Sequence, residues 1–288
     1  MLQKVQMAAP TIPDRLSGLL RRFQIKTGVF HTGLMCGSAD FVTSDSGGHL
    51  HILRSGCLRV TNADSTPFEV TEPTVLFYPQ GLGHRLETDG KNQQVELLCA
   101  KIDLGGDANP LALALPEVVV VPFAQSEGLQ ATLDVLIEEA FTTNCGRQAV
   151  LDRLCEVVVV KLLRHVIREN QLKIGLLAGL AHPMLCRALT AMHDTPEKDW
   201  PLEWLADTAG MSRTTFANVF RDVVGQTPGN YLARWRLTLA KGQLSKGTPL
   251  KAVAQAVGYA SPAALSRAYT RQFGQSPRES KNSDALSA

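Results

Sequence analysis

Imidazoles, thiols and guanidinium groups are the side chains of this 288-residue chain whose spacing suggests chemistry. His49 and His51 are separated by one residue, which on a strand puts both rings on one face, and His84 closes the string Pro79-x-Gly81-x-x-His84. Imidazole nitrogens suit zinc, iron or copper. His51 and His84, approaching from neighbouring strands, are therefore a candidate metal or effector site, set against the plainer expectation that these histidines pack inside the domain. Six cysteines stand at 36, 57, 99, 145, 155 and 186 with no CxxC pair. That is neither a disulfide framework nor a zinc-finger spacing. Cys57, Cys155 and Cys186 fall in apolar patterns and are expected in the core. A redox-active thiol must be accessible and ionise easily. Cys99, in the apolar run LLCAKIDL (97–104), reads first as a small core residue.

Guanidinium groups gather in the C-terminal third. The formal net charge is only +2, yet residues 208–278 carry ten Lys and Arg against one acid, Asp222. Such asymmetry points to a polyanion partner. The same stretch repeats itself. LEWLADTAGMSRTTFANVFRDVVGQTP (202–228) and LKAVAQAVGYASPAALSRAYTRQFGQSP (250–277) align Leu202 with Leu250, Ala206 with Ala254 and Gly210 with Gly258. After one inserted residue, Phe216 aligns with Leu265, Phe220 with Tyr269, Val224 with Phe273, and GQTP with GQSP. Each unit reads as a helix, a glycine turn and a second amphipathic helix, with Ser212 or Ser261 placed to cap the second helix and Pro262 suited to its first turn. This is a helix-turn-helix pattern, present twice, and with the basic bias it makes double-stranded DNA the expected partner.

These residues resemble the AraC/XylS family of bacterial transcription regulators, over about residues 183–281. PGNYLARWRLTLAKGQL (228–244) resembles the family's connecting helix, and Gly258 to Pro277 follows its second-unit pattern, with Leu265 where the family usually has Phe. The resemblance implies that the second helix of each unit enters the major groove. The corresponding outward residues are Arg213, Thr214, Ala217, Asn218 and Arg221 in the first unit, and Ala263, Ala264, Arg267 and Arg271 in the second. Arg267 suits a guanine edge and Asn218 an adenine edge, whereas Arg221 and Arg271 are better placed for phosphate. The alanines offer methyl contacts at most. The family also implies RNA polymerase as a partner.

The segment GGHLHILRSGCLRV…LFYPQGLGHRLE resembles the cupin-type sensor domain of one AraC branch, over roughly residues 14–122. It implies a β-barrel that takes a small effector. The glutamate of enzymatic cupins is absent from the run after His51, so no catalytic residue, metal or cofactor is assigned. Cys36 and Cys99 fall where this branch often carries cysteine, and some relatives respond to oxidants through such residues. His51, His84, Cys36 and Cys99 are thus the effector or redox candidates.

The elements that must position these groups change along the chain. Short β-branched segments at Leu50–Thr61, Phe68–Thr71, Thr74–Tyr78 and Gln94–Leu104 alternate with turns such as SDSGG (44–48) and TDGKN (88–92). Helical spacing begins at Leu129, and two helices joined by TTNCGR (142–147) form a hairpin. Its VVVV run (157–160) is apolar on all sides and needs cover, best supplied by a second copy. KIGLLAGLAHP (173–183) reads as a connector, with Pro183 opening the next helix. At 44% hydrophobic and 19% charged the chain can bury two cores. No apolar run is long enough for a membrane span and no signal peptide is evident, so a cytoplasmic location without a membrane partner is expected. The expected class is α+β: a cupin-like sensor domain (1–125), a helical hairpin for homodimerisation and linkage (126–182), a DNA-binding domain with two helix-turn-helix units (183–281) and a flexible tail (282–288). The function expected is sequence-specific regulation of transcription, answering a small-molecule or redox signal, and not enzymatic. The alternatives are a cupin-type metal-dependent enzyme with an appended helical domain, which the missing glutamate opposes, and an architectural DNA binder, which has little use for a barrel.

Overall fold

Gly56 sits at φ +97°, a conformation side chains resist, and its turn splits the stretch expected as one strand over Leu50–Thr61 into two. The computed structural model showing this describes residues 14–279 apart from 44–46, 64, 89–93, 106–108, 126–127 and 170–173. The tail expected at 282–288, and parts of the SDSGG and TDGKN turns, lie outside the described residues. The chain divides into a sheet unit, Phe23–Ala178, and a helical unit made of residues 1–22 with Gly179–Ala288. The hairpin expected at 126–182 as a separate segment therefore falls almost wholly within the sheet unit. Residues 14–22, expected with the barrel, go with the C-terminal helices.

Among the described residues the sheet unit has nine strands: β1 (Lys26–Met35), β2 (Ser38–Phe41), β3 (Gly48–Ser55), β4 (Leu58–Asn62), β5 (Phe68–Val70), β6 (Thr74–Tyr78), β7 (His84–Thr88), β8 (Val95–Asp103) and β9 (Val119–Pro122). They form two antiparallel sheets, ordered β1-β8-β3-β6-β9 and β2-β7-β4-β5. Alternate residues turn inward. Leu53, Leu58, Val60, Leu76, Tyr78, Leu86, Leu97 and Cys99 thereby share one core fed by both sheets.

The helices are α1 (Ser17–Arg22), α2 (Pro110–Ala114), α3 (Gln130–Ala140), α4 (Arg147–Glu169), α5 (Leu176–Ala181), α6 (Leu185–Asp194), α7 (Leu202–Ala209), α8 (Arg213–Val224), α9 (Pro228–Ser245), α10 (Leu250–Ala256) and α11 (Pro262–Phe273). The connector expected at 173–183 contains α5, in which Leu176, Leu177, Ala178 and Leu180 are each buried. The next helix opens at Leu185, not Pro183, with the His182 imidazole accepting from the Met184 and Leu185 N–H groups, both at 3.2 Å. Among the described residues no helix is long and apolar enough to cross a membrane.

Helix α4 seals the open edge of β1. The Asp152 carboxylate accepts from the Val29 N–H at 2.9 Å, and the Gln148 amide donates to the Val29 carbonyl at 2.9 Å. Side chains thus occupy hydrogen-bonding positions that another strand would take. Of the valine run, Val158 and Val159 are buried and Val157 is 43% exposed. The helix is therefore covered on one side and not all round. Cys57, expected in the core, is only half-buried, because it lies in the Gly56 turn.

Candidate nucleic-acid interface and histidine cluster

In the helical unit each reading helix is fixed by a cap and a glycine. Gly210 and Gly258 take φ +68° and +79°, turning the chain between α7 and α8 and between α10 and α11. The Ser212 hydroxyl accepts from the Thr215 N–H at 3.3 Å, and the Ser261 hydroxyl from the Ala264 N–H at 3.1 Å. Phe216 and Phe220 of α8, and Leu265 and Tyr269 of α11, point inward and are fully buried. That orientation commits the opposite faces to solvent.

Those faces carry the expected residues. Arg213, Thr214, Asn218 and Arg221 are exposed on α8, with Ala217 half-buried. Arg213 pairs with Glu203 at 3.0 Å, and Arg221 donates to the Asn218 amide oxygen at 3.4 Å, so both carry partners that a nucleic acid would have to displace. On α11, Ala263, Arg267 and Arg271 are exposed and Ala264 is half-buried. One of the ten basic residues at 208–278 is engaged within the protein. Arg236 of α9 donates to the carbonyls of Pro196 at 2.7 Å, Lys198 at 2.8 Å and Gly258 at 3.3 Å. All three bonds hold the α10–α11 turn against the segment preceding α7.

The sheet unit brings His51 and His84 together and adds Cys99. His51 and Cys99 face each other across β3 and β8. The His51 Nδ1 lies 3.1 Å from the Cys99 Sγ, and its Nε2 2.8 Å from the His84 Nε2. His84 Nδ1 lies 2.7 Å from the Leu82 carbonyl. A carbonyl only accepts, so His84 carries its proton on Nδ1 when neutral and its Nε2 accepts. His51 must then donate from Nε2, and its Nδ1 accepts from the Cys99 thiol. One proton order satisfies the whole chain from Cys99 to Leu82.

Burial keeps every member uncharged. It holds His51 well below the usual imidazole range, with repulsion from His84 and His49 adding to the effect. It also lowers His84 to about 4 and pushes the Cys99 thiol up to about 12. The thiol is thus the opposite of an easily ionised one. His84 is sandwiched by Tyr78, centroids 3.7 Å apart, and Phe41, at 4.7 Å. Tyr78 donates to the Asn62 amide oxygen at 2.9 Å.

The pair does not fit a metal as it stands. Two ligands of one tetrahedral zinc lie about 3.3 Å apart, wider than the 2.8 Å nitrogen contact. Among the described residues no group of three or more His, Cys, Asp or Glu is arranged to hold one. Cys36 is exposed between β1 and β2, away from this chain of bonds, and both thiols are free. Sequence reasoning missed Phe41, Tyr78 and Asn62, and also His31, which lies opposite Cys99 on β1. Only Tyr78, in the run before Pro79, had a signal that could have been read.

Comparison with known proteins follows the same division. A cupin family model matches residues 14–168, and a helix-turn-helix domain model matches 205–283. An AraC-like transcription regulator of Streptomyces lividans is 37% identical over 65% of this chain, which spans 64% of that relative's length. The HTH-type transcriptional regulator AlkR of Acinetobacter baylyi is 31% identical, over 79% of this chain and 85% of AlkR. The RCS-specific HTH-type transcriptional activator RclR of Escherichia coli K12 is 30% identical, over 80% of this chain and 82% of RclR.

Proposed function

The chain belongs to the AraC family of helix-turn-helix transcriptional regulators, with a cupin domain ahead of the reader, and on that premise we propose that α8 and α11 enter successive major grooves of one operator. The observation that carries this is the pair of capped helices, each with a buried aromatic or apolar side and an exposed side bearing arginine. Arg267 and Asn218 read base edges, Arg213, Arg221 and Arg271 meet phosphate, and Thr214, Ala217, Ala263 and Ala264 fit the groove surface. Residues 183–281 make the reader, residues 126–182 the dimerising hairpin, and the protein acts in the cytoplasm as a homodimer contacting RNA polymerase. The relatives are regulators and not enzymes, so the cupin-enzyme alternative has no support. A footprint on promoter fragments tests the reading. Protection of two adjacent major-groove faces per protomer is the expected result, and protection independent of sequence would overturn it.

The signal enters through the sheet unit. Its barrel interior, lined by His51, His84 and Cys99 and closed by Phe41 and Tyr78, is the proposed effector site. An oxidant is the second reading, favoured by one observation: the Cys36 thiol is free and exposed, where an oxidant can reach it. Cys99→Ala and Cys36→Ala should bind DNA normally in reductant. If the oxidant reading holds, at least one variant loses a response that the native protein shows. Native binding unchanged by mild oxidant leaves only the small-molecule reading.

A further inference from the structure

The C-terminal half of α4 concentrates positive charge beside a space that the regulatory reading does not use. Lys161, Arg164, His165 and Arg168 follow i, i+3, i+4, i+7 spacing and so share one helix face. They border a recess of about 200 Å³ whose other walls are Val121 of β9 and Gly128 and Leu129, which lead into α3. Basic residues near a helix C-terminus often do no more than offset the dipole. Here three further observations point inward. The Lys161 ammonium donates to the Gly128 carbonyl, which holds it at the rim. The His165 Nδ1 is buried and has no hydrogen-bond partner among the described residues. The first turn of α3, entered through Leu129 at the recess wall, has no side-chain cap among the described residues and no acidic residue within the turn, so the helix start adds partial positive charge there. Arg164 is exposed, and no ion pair is found for it among the described residues. Arg168 pairs with Glu169 at 3.6 Å, so the crowded cations are Lys161 and Arg164, and a bound anion offsets their repulsion.

We propose that this recess, formed by Lys161, Arg164, His165 and Arg168 against the start of α3, binds a small oxyanion, either inorganic phosphate or the acidic group of a compact metabolite. Guanidinium groups match oxyanions bidentately, and a helix N-terminus adds N–H donors. About 200 Å³ matches one such group with a few carbons. The inference does not rest on the barrel-effector reading, because these residues lie apart from the His51–His84–Cys99 chain.

Titration calorimetry on the full-length protein, at constant ionic strength in a buffer free of oxyanions, tests it. The probes are inorganic phosphate and acetate. Saturable phosphate binding is expected, weakened at least about tenfold in Arg164→Gln, the effect of losing one charge-assisted contact. Arg153→Gln, which removes an exposed cation of the same helix outside the recess, should bind as the native protein does. Without phosphate, Arg164→Gln should melt at or above the native temperature, because a crowded charge is gone and the core is untouched. Acetate binding with the same Arg164 dependence would extend the site to carboxylates, and phosphate binding alone would restrict it to phosphoryl groups. No saturable binding of either probe, or equal weakening in Arg153→Gln, would overturn the proposal.

Discussion

Arg267 and Arg271 carry the same charge on the same helix face, one turn apart, and no ion pair is found for either among the described residues. Any difference between them must come from what they touch. If Arg267 grips guanine O6 and N7, Arg267→Ala costs about 1–3 kcal/mol on the specific site and relaxes one base position, with little loss on random DNA. Arg271→Ala should weaken specific and random DNA alike and reduce the salt slope by about one. Gel-shift titrations on both DNAs, across a salt series, read the contrast. Equal losses on both DNAs for both variants would leave base reading to α8. The histidines make a second residue-scale prediction. His84 is held at about 4 against 6.5 when unfolded, and His51 moves the same way. Between those values the unfolded chain binds more protons than the folded one, so stability falls as pH drops. The sheet unit should melt at a constant temperature above about pH 6.5 and at progressively lower temperature from there towards pH 4. A flat calorimetric profile down to pH 4 would mean that the pair is solvated. The sequence showed His51 and His84 as neighbours but not Cys99 as the third member, because that contact depends on the register between β3 and β8.

At the scale of elements, the repeat was readable because each helix-turn-helix unit uses local signals: a serine cap, a turn glycine and inward aromatic residues at helical spacing. Ser261→Ala should cost about 0.5–2 kcal/mol, the usual loss for a helix cap, seen as a lower melting temperature without a change in the salt slope. Gly258→Ala should cost more. A Cβ there would lie 2.7 Å from the Glu197 carbonyl oxygen, and φ of +79° is adverse for alanine. Arg236→Ala should behave as a structural change, lowering melting temperature and weakening all DNAs in proportion. If Arg236→Ala reduced the salt slope with no loss of stability, the residue would be a phosphate contact after all. Strands were less legible. β1 (KTGVFHTGLM) has two glycines and buries little beyond Met35, so no apolar alternation marks it. What makes it a strand is long-range: pairing with β8, and the edge bonds from Asp152 and Gln148. The α4 valine run, conversely, overstated burial, since composition cannot say which side of a helix its neighbours cover.

For the whole molecule, the chain order matters more than the domain count. The helical unit is interrupted: α1 lies before the sheet unit in sequence, yet it packs on α6. Leu19 is fully buried, Arg21 pairs with Asp194 at 2.7 Å, and Arg22 donates to the His193 carbonyl at 3.1 Å. The sheet unit is therefore tethered to the helical unit at both of its ends. A rearrangement of the sheet unit can pull on either tether, whereas a single linker would offer one. Nothing in residues 14–22 announces this, because a six-residue helix has no periodic signal to read and its partner lies far along the chain. A reader fragment of residues 183–288 keeps both helix-turn-helix units and should bind DNA with steep salt dependence. It should do so with reduced stability, having lost α1. The full-length variant Leu19→Ala isolates the cause, because it opens a cavity at α1 and leaves all DNA-facing residues in place. Its expected cost is about 2–5 kcal/mol, and the cost should fall on the helical unit. The three tryptophans, Trp200, Trp204 and Trp235, all lie in that unit, so tryptophan fluorescence follows it alone while calorimetry sees both units. Leu19→Ala should lower the fluorescence-detected transition and leave the remaining calorimetric transition where it was. A variant whose fluorescence melt matches the native protein, with the loss confined to the other transition, would place α1 in the sheet unit and remove the double tether.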